Sequence, residues 1–240
     1  NRVRTRLDSI KPVFMLAEYE SKEVLSAFDM IYGWELHHIM NQIAQGKKTV
    51  ADLDAYFAKI DTVYNADDYF MYFTSNHDEN SWNGTEFERM GPAAQTMAVL
   101  SVTVPGMSLI YSGQEAKLEK RLSFFEKDPI DWKNYEYQDF YKKLLTLKHD
   151  SKALWNGNKG GPLERVASND SSVFSFTRVK DGEQVLVVLN LSAKEQNVLL
   201  KNENIQGNYT SLFTQSNVTV SNDNPIKLEP WGYLVLSRGK

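Results

Sequence analysis

Glu18 follows five apolar residues without a break, Val13-Phe14-Met15-Leu16-Ala17, and the trio Asn76-His77-Asp78 lies just beyond another such run, Tyr69-Phe70-Met71-Tyr72-Phe73. Short apolar runs of this kind read as buried strands. A carboxylate at the end of such a strand is costly to desolvate unless it faces a cleft or finds a partner. Where strands and helices alternate, reactive groups gather at the carboxyl edge of the sheet, which puts Glu18 and Asp78 on one rim. Paired acids on one rim suit cleavage of a glycosidic bond: one protonates the departing oxygen while another stabilises positive charge developing on the sugar. Trp34, Trp82 and Tyr19 are candidates to stack on sugar rings, against the commoner use of aromatic residues as core filling.

Other chemistries find no footing. His37-His38 falls in a predicted helix with Glu35 at the wrong spacing for a zinc-binding His-Glu-x-x-His, so the pair reads as packing or surface residues. With no cysteine, thiol nucleophiles, zinc ribbons, iron–sulfur sites and disulfide frameworks are excluded, and the redox compartment stays open. There is no Gly-x-Ser-x-Gly elbow, no phosphate-binding loop and no dinucleotide turn. Lys and Arg number 27 against 31 Asp and Glu, a net charge of −4 with no basic block, which argues against nucleic acid as a partner. No apolar stretch approaches the roughly 20 residues of a membrane span.

Two kinds of element must position the reactive residues. Over 240 residues, 42% of them hydrophobic, the chain can fill a sizeable core, and its rhythm divides it into residues 1–154 and 155–240. The first part alternates four short apolar runs, ending near Ala17, Tyr32, Phe73 and Tyr111, with helical segments, the pattern of β-α units on a parallel sheet. Leu36, Ile39, Met40 and Ile43 share one helical face that stops at Gly46; Thr49 and Asp52 make a capping-box start for the stripe Val50, Leu53, Phe57, Ile60 and Tyr64. A nearly all-apolar helix follows Pro92, and a last one runs from about Tyr135 to His149. Gly157, Gly160, Gly161 and Pro162 read as a linker, after which strands flank the Asp181-Gly182 hairpin signal and continue as short runs to Leu236, an antiparallel β-sandwich.

Three segments together resemble a known family. Phe73-Thr74-Ser75-Asn76-His77-Asp78 is similar to the motif at the end of the seventh barrel strand of the α-amylase family, glycoside hydrolase family 13, and Phe14-Met15-Leu16-Ala17-Glu18 resembles its fifth-strand motif. Val104-Pro105-Gly106-Met107-Ser108-Leu109-Ile110-Tyr111-Ser112-Gly113-Gln114-Glu115 resembles its eighth-strand segment, and Val187 to Ser192 with Pro230-Trp231-Gly232-Tyr233 resemble its C-terminal sandwich. The resemblance covers essentially the whole chain in the family's order. It implies an α/β fold: strands five to eight of a (β/α)8 TIM barrel with their helices, followed by an all-β antiparallel sandwich. It implies Glu18 as general acid/base, Asp78 as the carboxylate that stabilises the transition state, and His77 as a substrate-binding residue, in a retaining hydrolase of α-1,4-glucosidic bonds in α-glucans.

The front of the chain departs from the family pattern. No Gly-x-Arg-x-Asp segment carrying the family's nucleophile is present, and Asn1 to Ile10, with Val3, Leu7 and Ile10 on one face, reads as the helix that follows the fourth strand. A start at Asn rather than Met points to a segment upstream. Four strands are half of the eight that close such a barrel. The chain alone is therefore expected to be inactive or nearly so, to need the missing N-terminal half of the barrel, and to self-associate through bare strand edges. No cofactor is expected in this chain; the family's inserted domain with its calcium site is absent, so calcium belongs to the complete enzyme, and no ligand set for it is found here. The substrate class leans to a periplasmic or secreted setting. Two alternatives stand beside the hydrolase: a family transglycosylase or debranching enzyme, and a non-catalytic carbohydrate-binding or scaffold protein.

Overall fold

The computed structural model describes residues 2–132 and 134–239. A first helix, α1 (Arg2–Asp8), leads to strand β1 (Leu16–Ala17). Then come β2 (Met30–Tyr32), α2 (Trp34–Ala44), α3 (Val50–Val63), β3 (Tyr69–Tyr72), α4 (Glu86–Met90), α5 (Ala94–Thr103), β4 (Met107–Ser108) and α6 (Gln138–Asp150). The four strands pair in parallel in sequence order, with Leu16 opposite Met30, Ile31 opposite Phe70, and Met71 opposite Met107. This is the expected half barrel. The two edge strands, β1 and β4, are two residues long, and each has a ladder partner on one side only.

Strand alternation decides what each face touches. Ile31, Phe70 and Tyr72 point outward into the core beneath the helices, which the Leu36, Ile39, Met40 and Ile43 stripe and the Leu53 and Phe57 stripe also enter. Met30, Tyr32, Met71 and Phe73 form a separate cluster on the opposite face, with Trp34 and Leu109 packed on it. The Thr49–Asp52 capping box is formed, and Gly46 takes the positive φ of +70° that ends a helix. At the open edges Phe14, Leu16 and Met107 are exposed.

The second part has strands β5 (Glu164–Arg165), β6 (Ala167–Ser168), β7 (Val173–Lys180), β8 (Glu183–Asn190), β9 (Gln196–Val198), β10 (Leu200–Lys201), β11 (Gly207–Ser211), β12 (Asn217–Val220), β13 (Ile226–Leu228) and β14 (Tyr233–Arg238). Six of them form one sheet in the order β12-β11-β14-β8-β7-β5, and β10-β6 and β13-β9 form two smaller pairs. Asp181 and Gly182 both have positive φ, +51° and +87°, the primed turn that matches strand twist in a two-residue hairpin.

Alternation along β7 and β8 sorts their side chains between two cores. Phe174, Phe176, Val185, Val187 and Leu189 join the barrel core, where the Phe174 ring stacks on Phe57 of α3 at 5.8 Å, while Val173, Leu186 and Val188 pack with Val198, Leu200, Tyr209 and Leu228. The connection at 157–162 departs from the linker reading. Gly160 and Gly161 are buried, and a Cβ on either would lie 1.7 Å from the Trp155 carbonyl oxygen or 2.4 Å from that of Val179. Arg178, only 1% exposed, fixes the stretch by donating to the carbonyls of Gly161 (2.9 Å), Thr103 (3.1 Å), Leu154 (3.2 Å) and Trp155 (2.6 Å). Glycine is used here for close backbone approach rather than for freedom.

Candidate active site

Each reactive residue owes its place to the strand before it. Arg4 on α1 binds Asp29 at 2.7 Å, and Asp29 also accepts from the Met15 amide at 2.7 Å, which sets the start of β1 and hence the position of Glu18 at its end. The Asp29 carboxyl is held below its ordinary value: burial raises it, but the Arg4 and Met15 hydrogen bonds outweigh burial. His77 and Asp78 follow β3, one strand removed across the sheet, with β2 between.

The structure brings all three residues together. His77 Nε2 lies 3.2 Å from Glu18 Oε1 and 3.8 Å from Asp78 Oδ2, and one ligand atom from each residue falls within 4.8 Å of the others. Their side chains are 48%, 45% and 41% exposed, so the cluster opens to solvent at the carboxyl edge of the sheet. Tyr32 at the end of β2 is buried near them; burial raises its phenol pKa, and the charges of Glu18 and Asp78 raise it further. The trio also has the donor types of a metal site, two carboxylates and an imidazole, although exposed acidic groups gather without an ion in many proteins.

Buried polar networks fix the loop that carries His77 and Asp78. Asn76 Oδ1 accepts from the Glu79 amide at 2.8 Å, and Glu79 accepts from Asn83 at 2.9 Å. Glu79 also meets His37 at 3.1 Å and Arg89 at 3.8 Å, while His37 Nδ1 lies 3.2 Å from the Phe73 carbonyl. Burial works to raise the Glu79 pKa, but its bond to His37 and the Arg89 charge hold it at about 2. His37 is therefore the packing residue expected, with its pKa pushed down chiefly by burial, and His38 is exposed. A second network joins the exits of β3 and β4. Gln114 donates to Glu86 at 2.6 Å, Thr74 at 2.8 Å and Tyr141 at 3.1 Å, and Thr74 donates to Glu86 at 2.5 Å. Burial raises the Glu86 pKa against these two donors.

Of the proposed stacking residues, Tyr19 and Trp82 are exposed, at 63% and 57%, whereas Trp34 is half-buried and stacks on Tyr32 at 5.5 Å. The sequence reading missed Phe124, whose ring lies 5.9 Å from that of His77, and Phe125 packed on it and 82% exposed. Their signal was legible: two adjacent aromatic residues in an otherwise charged run, Lys120-Arg121 to Glu126-Lys127-Asp128.

A family model for the maltogenic amylase C-terminal domain matches residues 163–235, the greater part of the β-rich region. The chain also superposes over its full length on 57% of the maltogenic α-amylase AmyB of Thermotoga neapolitana, with a TM-score of 0.84 at 21% identity. The chain has the fold of the α-amylases over a little more than half of their length. An α-amylase of Lactobacillus plantarum gives a TM-score of 0.81 at 20% identity, with 99% of this chain covering 58% of that one. In sequence, α-amylase MalA of Haloarcula japonica is 24% identical over 212 residues, 82% of this chain and 30% of that protein. The chain thus spans less than half the length of the curated relatives it matches.

Proposed function

We propose that this chain supplies one side of the active site of a retaining α-glucan hydrolase, with Glu18 as general acid/base, Asp78 as the carboxylate that stabilises the oxocarbenium-like transition state, and His77 as a donor to a sugar hydroxyl. The observation that carries this reading is the meeting of Glu18, His77 and Asp78 within 4.8 Å at one sheet edge. Two carboxylates this close leave no room for the water that an inverting pair, about 6.5–9.5 Å apart, must hold between them. Retention in turn requires a nucleophilic carboxylate on the far side of the sugar, about 5–5.5 Å from the acid. We assign that group to the barrel half that faces this one, so the 240-residue chain alone is inactive.

The proton moves from the Glu18 carboxyl to the glycosidic oxygen as the bond to the anomeric carbon breaks; the resulting carboxylate then takes a proton from the attacking water. His77, 3.2 Å from Glu18, also bears on that carboxyl. Release of reducing sugar from starch is expected from the complete barrel, to be abolished by Glu18→Gln, and to be absent from the 240-residue chain. A mechanism-based fluorosugar label found on Asp78 by mass spectrometry would make Asp78 itself the nucleophile and overturn the assignment.

A further inference from the structure

The segments that leave β3 and β4 border a cavity of about 10 Å³, the room that one water-sized occupant needs. Six of the seven residues that line it bear a side-chain oxygen: Ser75, Asn80, Glu86, Tyr111, Ser112 and Gln114. Ser75, Asn80, Glu86 and Gln114 are only 2%, 3%, 4% and 4% exposed, so their polar atoms must be satisfied from within.

Two oxygens there take no hydrogen bond from any described residue. Ser75 Oγ is buried without a partner. Glu86 uses one carboxylate oxygen only: Thr74 and Gln114 both donate to Oε2, at 2.5 and 2.6 Å, and nothing donates to Oε1. The neighbouring side-chain amides already donate elsewhere, Asn80 to the Lys120 carbonyl at 3.2 Å and Gln114 to Glu86, Thr74 and Tyr141. Their oxygens each accept one backbone N–H, from Leu122 and from Tyr111, and keep a second lone pair. The cavity is therefore rich in acceptors, which suits a cation and not an anion.

A buried charge is normally paired or bound to a metal. The Arg89 charge bears on Glu86, but its guanidinium is committed to Gly84, Thr74 and Asn41, at 2.9, 2.7 and 2.8 Å, and its ion pair is with Glu79 at 3.8 Å. The two short bonds at Oε2 oppose the burial that favours a protonated Glu86. We infer that the cavity binds one monovalent cation, of the size of sodium or potassium, on Glu86 Oε1 and Ser75 Oγ, and that this ion ties the segment just before His77 and Asp78 to the loop after β4. A single carboxylate balances a single charge, whereas calcium takes roughly six to eight oxygen ligands and gathers more negative charge around it. The ion site stands whatever substrate the neighbouring cleft takes.

Thermal melting of the 240-residue chain in sodium, potassium and tetramethylammonium chloride at equal ionic strength tests this, the last ion being too large to enter. With the salts titrated from about 10 mM to about 1 M, sodium or potassium is expected to raise Tm by about 3–6 °C over tetramethylammonium once the cation stands at about ten times its dissociation constant. Glu86→Gln keeps an acceptor for Thr74 and Gln114 but removes the charge, so it should abolish the increment, and Ser75→Ala should reduce it. Should Glu86→Gln fail to fold, Ser75→Ala decides, because removing a hydroxyl that bonds no described residue leaves the fold intact. Equal melting in the three salts, the result expected if water alone fills the cavity, overturns the site. So does an increment that survives undiminished in either variant, or one given by calcium chloride and not by sodium or potassium.

Discussion

Replacing Arg178 by Met should loosen the junction between the half barrel and the β-rich region by about 3–5 kcal/mol. The guanidinium serves four carbonyls on three stretches of chain: Thr103 at the end of α5, Leu154 and Trp155 after α6, and Gly161. Trp155 is 38% exposed, so water can take over its carbonyl, and Leu154 retains a long contact from Lys148 at 3.5 Å. That leaves Thr103 and Gly161 as buried acceptors with no donor, each costing about 1–3 kcal/mol. Burial lowers the Arg178 pKa to about 9, so its desolvation already weighs against the folded state, and a neutral replacement recovers part of that cost. The balance is still a net loss, because methionine fills the space and offers no donor. Arg178→Lys should lose less, about 2 kcal/mol, since an ammonium can reach some of the same carbonyls. Urea unfolding followed by circular dichroism and by tryptophan fluorescence reads this directly, as a lower midpoint with an unchanged slope. In a scan, Tm should fall by about 6–20 °C for Arg178→Met at this chain length. A loss under about 1 kcal/mol would refute the reasoning, since it would mean that the carbonyls find other donors.

Two further predictions concern pH. Glu79 is held at about 2 in the folded chain against an ordinary 4.5, so its contribution is complete above about pH 4.5 and is lost as pH falls through about 2. The shift corresponds to about 3–4 kcal/mol, and Glu79→Gln should flatten the acid limb of a stability profile taken from pH 2 to 6; an unaltered limb would count against it. Lys148 runs the opposite way: burial, with the Arg178 charge adding to it, lowers its pKa from 10.5 to about 7. Its unfolded form binds more protons between these values, so it makes stability rise as pH increases from about 7 toward 10.5. Lys148→Met should remove that rise, and a variant with the same slope as the parent would sink the prediction.

Most of the half barrel was legible because its signals are local. Leu36, Ile39, Met40 and Ile43 spell one buried face, Thr49 and Asp52 a start, and Asp181-Gly182 a turn that only residues tolerant of positive φ make easily. Glu18 and Asp78 were legible as strand-end acids, since a charge after a continuous apolar run needs a reason. What the sequence hid are relations across long separations. Nothing near Arg178 says that its guanidinium will bury itself against Thr103, 75 residues away, and for that reason the glycines at 160 and 161 read as flexible when they are packed. Asn80 likewise looks like any loop asparagine until Leu122, 42 residues on, is seen to donate to it.

The Phe57–Phe174 stack and the alternating side chains of β7 and β8 have one more implication. A sheet that offers one face to its own second layer and the other to the barrel helices is not a detachable module. Cut away at residue 163, it would carry Phe174, Phe176 and Val187 into water, and α3 would lose the cover over Phe57. Melting of the two regions should therefore be concerted, and exchange of this β-rich segment among relatives is open only to those whose barrel helices present a matching surface.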